Sequence, residues 1–415
     1  MLDGALAAFR SGDLALARRL TDDALAAHPG DARSLHLSGE IAARAGDLDR
    51  ARHDLELAAQ AGTPDVLASL ARLRWRRGDA QGSLEAASRA LARAPGYFPA
   101  ALAGAIASAP DGGAEPFLAA TGLRGADPAR VEFAYQWLAE NVRDGRRAFA
   151  PPPDPPAAAL LRFTVVACSI TEPKLARCRA ALEASFGEPH EFLAIRDARS
   201  LAEAYNRALA SARGEAIVFL HDDVEVISPG LGDKLSRALA RADVVGVAGT
   251  RRLAGPTLGW AGQAPMAGWL VHTDAAFGPW DFSLLALRGG LVGGMEALDG
   301  CFFAARLDAA RRIGFDDATF DAFHFYDLDF CLRARRAGLR VAVDTDLLVR
   351  HASRGALGPD WQAQAGRFVA KFAPMATQPA QPNHFHAARL ASRESALALH
   401  DELNGFCAAL GTREG

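Results

Sequence analysis

The sequence predicts an all-α repeat unit followed by an α/β domain with a mostly parallel sheet. Three observations predict this. A period of 32 to 34 residues runs through the first part of the chain, a proline-dense stretch follows at 150–159, and beyond it short apolar strands alternate with helices. At 415 residues the chain can hold two or three domains with a sizeable core.

The repeats are marked by Gly-Asp pairs at Gly12-Asp13, Gly46-Asp47 and Gly78-Asp79, spaced 34 and 32 residues apart. Five residues after each glycine stands a small residue (Ala17, Ala51, Ser83), and twelve after it an alanine (Ala24, Ala58, Ala90). Small residues at these offsets let two antiparallel helices approach closely, with Gly-Asp as the turn between them. Pro29, Pro64 and Pro95 are expected to end the second helix of each pair. The pattern resembles the tetratricopeptide repeat, although Leu and Ala mostly replace the consensus aromatics. A generic alanine-rich bundle is the alternative. Further helices, such as VEFAYQWLAENV (Val131 to Val142), complete a helical domain over 1–148.

APPPDPPAAA, Ala150 to Ala159, is too rich in proline for a helix and reads as an extended spacer within a linker at 149–160. From 161 to 374 the period changes. FTVVACS, EFLAI, AIVFL and VVGVAG read as strands, separated by the helices LARCRAALEASF, LAEAYNRALASA and LGDKLSRALARA. Alternation at short intervals means a parallel sheet covered on both faces. A C-terminal tail at 375–415 carries one helical stretch, Ala388 to Phe406.

Composition excludes several classes. A formal net charge of −3, with acidic residues interleaved among the arginines, gives no electrostatic case for nucleic acid. Five cysteines without a CxxC pair suit a reducing compartment. The N-terminus shows no signal-peptide pattern, and the uncharged stretch Leu253 to Thr273 holds four glycines and two prolines, which fits a ligand loop better than a membrane helix. The expectation is a soluble cytoplasmic protein, with peripheral membrane contact open.

The candidate chemistry starts at FLHDDVEV, Phe219 to Val226, where a strand runs into His221, Asp222 and Asp223. Carboxylates at the carboxyl edge of a sheet stand where α/β proteins bind ligands. Two so close repel unless a cation or proton lies between them, and hard oxygen ligands suit Mg²⁺ or Mn²⁺. An acidic turn is the structural alternative. Downstream come LDGCFF, with Asp299-Gly300 as a turn, FYDLDFCLRARRAG (Phe325 to Gly338), and VRHAS, ending a strand near His351. Asp327 falls near a helix start, where a carboxylate also caps free amides. A lone histidine such as His351 is more often structural than a ligand.

In this order the motifs resemble a family 2-type glycosyltransferase with the GT-A fold, over residues from about 163 to 373. "DLDFCLRARRAG" is similar to that family's "EDxDLCLRxRxxG" segment, and HDD stands where its Asp-x-Asp motif stands. The resemblance implies a metal-dependent inverting transfer of sugar from a nucleotide sugar, UDP being the family's commonest nucleotide, to a hydroxyl on a glycan or protein. It implies Asp223 and His351 as ligands of Mn²⁺ or Mg²⁺ and Asp327 as general base. Ser169, Ile170, Thr171, Asp197, Asn206 and Asp222 would face the nucleotide. Asp299 would line the sugar or acceptor pocket, and Trp269 would stack on a sugar ring. His221 and Tyr326 depart from the pattern, since acids usually stand there. Those departures favour the alternative, a protein-binding scaffold with an inactive GT-A domain. The repeats are expected to recruit the acceptor or an assembly partner.

Overall fold

The computed structural model describes the chain apart from residues 1, 126, 154, 157, 275–277, 354–357, 376–385 and 415. It divides into two compact units, Met1–Ala150 and Pro151–Gly415.

The first unit is built from α1 (Leu2–Ser11), α2 (Leu14–Ala27), α3 (Ala32–Ala45), α4 (Leu48–Ala58), α5 (Pro64–Arg76), α6 (Ala80–Arg93), α7 (Phe98–Ser108), α8 (Glu115–Thr121) and α9 (Pro128–Arg143). Successive helices pack as pairs: α1 on α2, α3 on α4, α5 on α6, α7 on α8. The first three pairs share one turn. Gly12, Gly46 and Gly78 adopt φ of 85°, 85° and 86°, a left-handed conformation that glycine enters without a Cβ penalty. The aspartates that follow accept hydrogen bonds from Leu16 N (3.0 Å), Arg50 N (3.2 Å) and Gly82 N (2.8 Å), capping the second helix of each pair. Ala17, Ala51 and Ser83 are fully buried where the helices touch. Pro64 corrects one expectation: it stands at the first position of α5 and starts a helix, because a residue without an N–H loses nothing there.

The second unit begins with β1 (Phe163–Cys168), α10 (Glu172–Phe186), β2 (Glu191–Ile195), α11 (Leu201–Ser211), β3 (Ala216–His221), β4 (Val224–Val226), α12 (Leu231–Leu239) and β5 (Val244–Gly246). Next come β6 (Ala248–Thr250), β7 (Met266–Asp274), β8 (Gly278–Leu284), β9 (Gly289–Gly293), β10 (Ala297–Leu298), β11 (Phe302–Arg306) and α13 (Leu307–Ile313). Then follow α14 (Tyr326–Arg336), β12 (Val341–Asp344), β13 (Val349–His351), α15 (Pro359–Lys371), β14 (His386–Arg389), α16 (Arg393–Leu410) and β15 (Arg413–Glu414). An eight-stranded sheet has the order β15-β9-β12-β5-β11-β3-β1-β2. Four of its seven pairings are parallel; β11 runs antiparallel between β3 and β5, and β9 antiparallel to β12.

Alternation along β3 builds the core on both faces. Ile217 and Phe219 join the cluster beneath α11 and α14, while Ala216, Val218 and Leu220 join that beneath α10 and α12. The apolar run expected as one strand, VVGVAG, is two. The chain leaves the large sheet after Gly246 and enters a second sheet at Ala248, with the order β10-β6-β7-β13-β4, β8 pairing with β7 and β14 with β8. The helix expected from Ala388 starts later, because Ala388 and Arg389 pair with β8. Among the described residues, no helix is long and apolar enough to cross a membrane. All five cysteines are free thiols.

Candidate active site

Both sheets contribute to one constellation. β3 ends at His221, the chain turns through Asp222 and Asp223, and β4 pairs with β13 so that Val224 lies opposite His351. That pairing carries His351 to Asp223: Nε2 lies 3.3 Å from Asp223 Oδ1 and 3.4 Å from His221 Nδ1. One ligand atom from each of the three lies within 4.8 Å of the others. Donors bound to a common ion at about 2.1 Å stand roughly 3.0–3.4 Å apart, and the two spacings from His351 Nε2 agree with that. Ser353 Oγ lies 3.2 Å from the same His351 nitrogen.

The electrostatics agree with that fit. Burial would raise the Asp223 carboxyl, but contacts with His351, Ser353 and His221 outweigh it and hold the group well below the usual carboxylate range. Burial, reinforced by His351, pushes His221 down to about 4, which leaves a neutral imidazole with a lone pair at neutral pH.

Asp327 stands in the first turn of α14, below a bulky residue in a left-handed conformation. Phe325 has φ 65° and is pinned by the rings of Phe320, Phe368 and Trp361. Asp327 Oδ2 accepts from Gly300 N at 2.8 Å. Burial, then the charge of Asp299, push this carboxyl up to about 7, although part of the side chain remains open to solvent. Asp299 Oδ1 accepts from Cys301 N at 2.9 Å, and its own carboxyl is lowered: burial acts upward, and His351 and Cys301 prevail. Tyr326 Oη donates to Gly300 O at 2.9 Å and lies 2.7 Å from His221 Nε2. Gly300 thus holds Asp327 with its amide and Tyr326 with its carbonyl. A Cβ there would lie 2.2 Å from Tyr326 Oη and 2.7 Å from Asp327 Oδ2.

Around this centre the other expected residues fall in three places. Asp222 accepts from Ser169 Oγ at 2.6 Å, at the ends of β3 and β1. Ile170 is 89% exposed beside Thr171, which precedes α10, and exposed Asp197 is paired to Arg207 at 2.9 Å. Two residues leave the expected site. Asn206 uses both ends of its amide on the backbone of Phe315, at 2.9 Å each, and so ties α11 to the loop after α13. Trp269 is fully buried and donates to Ala286 O, so no face is open to stack on a sugar. Asp329, two residues beyond Asp327, is fully buried between Arg333 (2.7 Å) and Lys371 (2.5 Å) and is committed to structure. Sequence reasoning missed His221 as a donor, Tyr326 and Gly300 as its support, and His272, whose ring centre lies 6.2 Å from that of His351.

Residues 164–359 match the model of a glycosyltransferase like family. The match spans a little under half of the chain and contains His221, Asp223, Asp299, Asp327 and His351. No curated protein matches. Among solved structures, a mutant O-GlcNAc transferase from Thermobaculum terrenum is 19% identical, covering 46% of this chain and 35% of its own, with a TM-score of 0.26. The chain therefore spans about a third of that structure's length. YrrB, a TPR protein with an unusual peptide-binding site, is 18% identical, covering 34% and 74%, with a TM-score of 0.28. GalNAc-T7 with UDP, GalNAc and Mn²⁺ is 11% identical, covering 51% and 48%, with a TM-score of 0.35.

Proposed function

We propose that the second unit is an inverting, metal-dependent glycosyltransferase that moves a sugar from a nucleotide-sugar donor to a hydroxyl acceptor. The observation that carries this is Gly300. It holds a carboxylate poised near neutral pH by its amide and, through Tyr326, one corner of a three-donor cation cluster by its carbonyl. Asp223, His221 and His351 would hold the divalent cation, Mn²⁺ or Mg²⁺. A cation bound there supplies positive charge against the departing nucleoside diphosphate. Asp327, oriented by Gly300 N–H, takes the proton of the acceptor hydroxyl, which then attacks the anomeric carbon. One base and one displacement invert that centre. Ser169 and Asp222, with Ile170, Thr171 and Asp197 at the neighbouring strand ends, form the nucleotide side, and Asp299 faces the sugar or acceptor.

His221 and Tyr326, the departures from the family pattern, lie 2.7 Å apart within the site, which favours a re-built centre over a decayed one. The repeats are assigned to recruitment of a protein, acceptor or partner. They carry a groove of about 600 Å³ lined by Phe9, Glu40, Arg44, Arg76 and Arg143. The test is release of nucleoside diphosphate from a panel of nucleotide sugars, with Mn²⁺ and with chelator. Metal-dependent release from at least one donor is expected; none from any donor, together with no donor binding, would sink the reading.

A further inference from the structure

We propose that Tyr326 is a positioning residue that fixes His221 as a nitrogen ligand, so that the centre prefers later first-row cations such as Co²⁺ to Mg²⁺. The inference rests on the reading of His221, Asp223 and His351 as a cation site. Gly300 is buried, and its carbonyl oxygen can only accept. Tyr326 Oη, 2.9 Å away, gives it the one proton it has. The same oxygen then only accepts from His221 Nε2 at 2.7 Å, so the ring proton is assigned to Nε2. Nδ1 is left with its lone pair, 3.4 Å from His351 Nε2 and within the three-residue cluster.

The tyrosine cannot swing away. It is 3% exposed, with the rings of Tyr205 and Phe315 centred 5.4 Å and 6.4 Å from its own. The absence of a side chain at Gly300 makes the approach of Tyr326 possible. A metal-bound histidine needs this kind of partner on its other nitrogen, and loss of such a partner typically costs about 10- to 100-fold in metal affinity. The donor set also carries selectivity. Mg²⁺ favours oxygen, whereas imidazole suits later first-row cations. Two imidazoles and one carboxylate therefore discriminate against Mg²⁺.

The experiment is calorimetric titration of the metal-free full chain with Mg²⁺, Mn²⁺ and Co²⁺, together with the visible absorption bands of the Co²⁺ form. Wild-type protein is expected to bind Co²⁺ at least about tenfold more tightly than Mg²⁺, with Mn²⁺ between the two. Tyr326→Phe is expected to lose about 10- to 100-fold in Co²⁺ affinity and to shift the Co²⁺ bands. Unchanged affinity and bands in a folded Tyr326→Phe would overturn the proposal. His221→Asp provides an independent arm: the Co²⁺ to Mg²⁺ preference should fall, and an unchanged ratio overturns the nitrogen-ligand assignment even if Tyr326→Phe does not fold. Failure of wild-type protein to bind any of the three cations would overturn the cation site itself, which separates that failure from failure of the positioning role.

Discussion

Asp327 is the side chain on which the chemistry turns, and its environment sets how it works. Held near 7 by burial and by Asp299, it is ionised above that pH and can accept a proton there. Asp327→Asn keeps the shape but removes the base. Turnover should fall by about 10²–10⁴-fold while donor affinity, measured by equilibrium titration, changes little. The pH profile of kcat/KM should rise through a limb near 7 in the wild-type chain. Asp299→Asn removes a like charge, so that limb should move to lower pH; a limb that stays in place would mean the pair does not interact. The stability sign follows from the same shift. A carboxyl raised on folding gives its full stabilisation below the ordinary aspartate range and loses it as pH rises through 7. Thermal melts of Asp327→Asn should therefore lose less stability between pH 5 and 8 than those of the wild type. At this scale the sequence disclosed the carboxylates, because a strand end and a helix start mark themselves. It did not disclose which were already spoken for. Asn206, Trp269 and Asp329 are consumed by Phe315, Ala286 and the Arg333–Lys371 pair, partners up to 109 residues away along the chain.

Among the elements, the turn from β3 to β4 and the start of α14 make the site, and Gly300 joins them. Gly300→Ala would drive a methyl group into Tyr326 Oη and Asp327 Oδ2 at once. It is expected to lower both turnover and metal affinity, read by activity assay and metal titration, whereas Asp327→Asn should lower turnover alone. A Gly300→Ala chain with normal metal affinity would show that Tyr326 does not depend on this turn. The strand-turn-strand was legible, with His221 at the strand end and both aspartates in the turn that follows. What the sequence withheld was the partner of each strand. Nothing local says that β11 enters antiparallel between β3 and β5, or that VVGVAG breaks at Val247 to change sheets. Such pairings are set by tertiary packing rather than by propensity.

For the whole molecule, the Gly-Asp turns and buried small residues made the repeats legible, since each turn needs only its own few residues. Every residue of the proposed chemistry lies in the second unit, between Ser169 and His351, and none lies in the helical unit. A chain shortened to residues 151–415 should therefore still bind cation and nucleotide sugar, and lose activity mainly on its natural acceptor. Loss of donor binding in the shortened chain would make the helices part of the catalytic unit and defeat the recruitment role. Full activity on the natural acceptor would assign them to another partner.

The most direct measurement is equilibrium binding of a nucleotide-sugar donor to the full chain, with and without Mn²⁺, for wild type and Asp223→Ala. The expected result is binding by the wild type that requires the cation, and its loss in a folded Asp223→Ala chain. Donor binding that is indifferent to both the cation and Asp223 would contradict the claim that this cluster is the donor site of a glycosyltransferase.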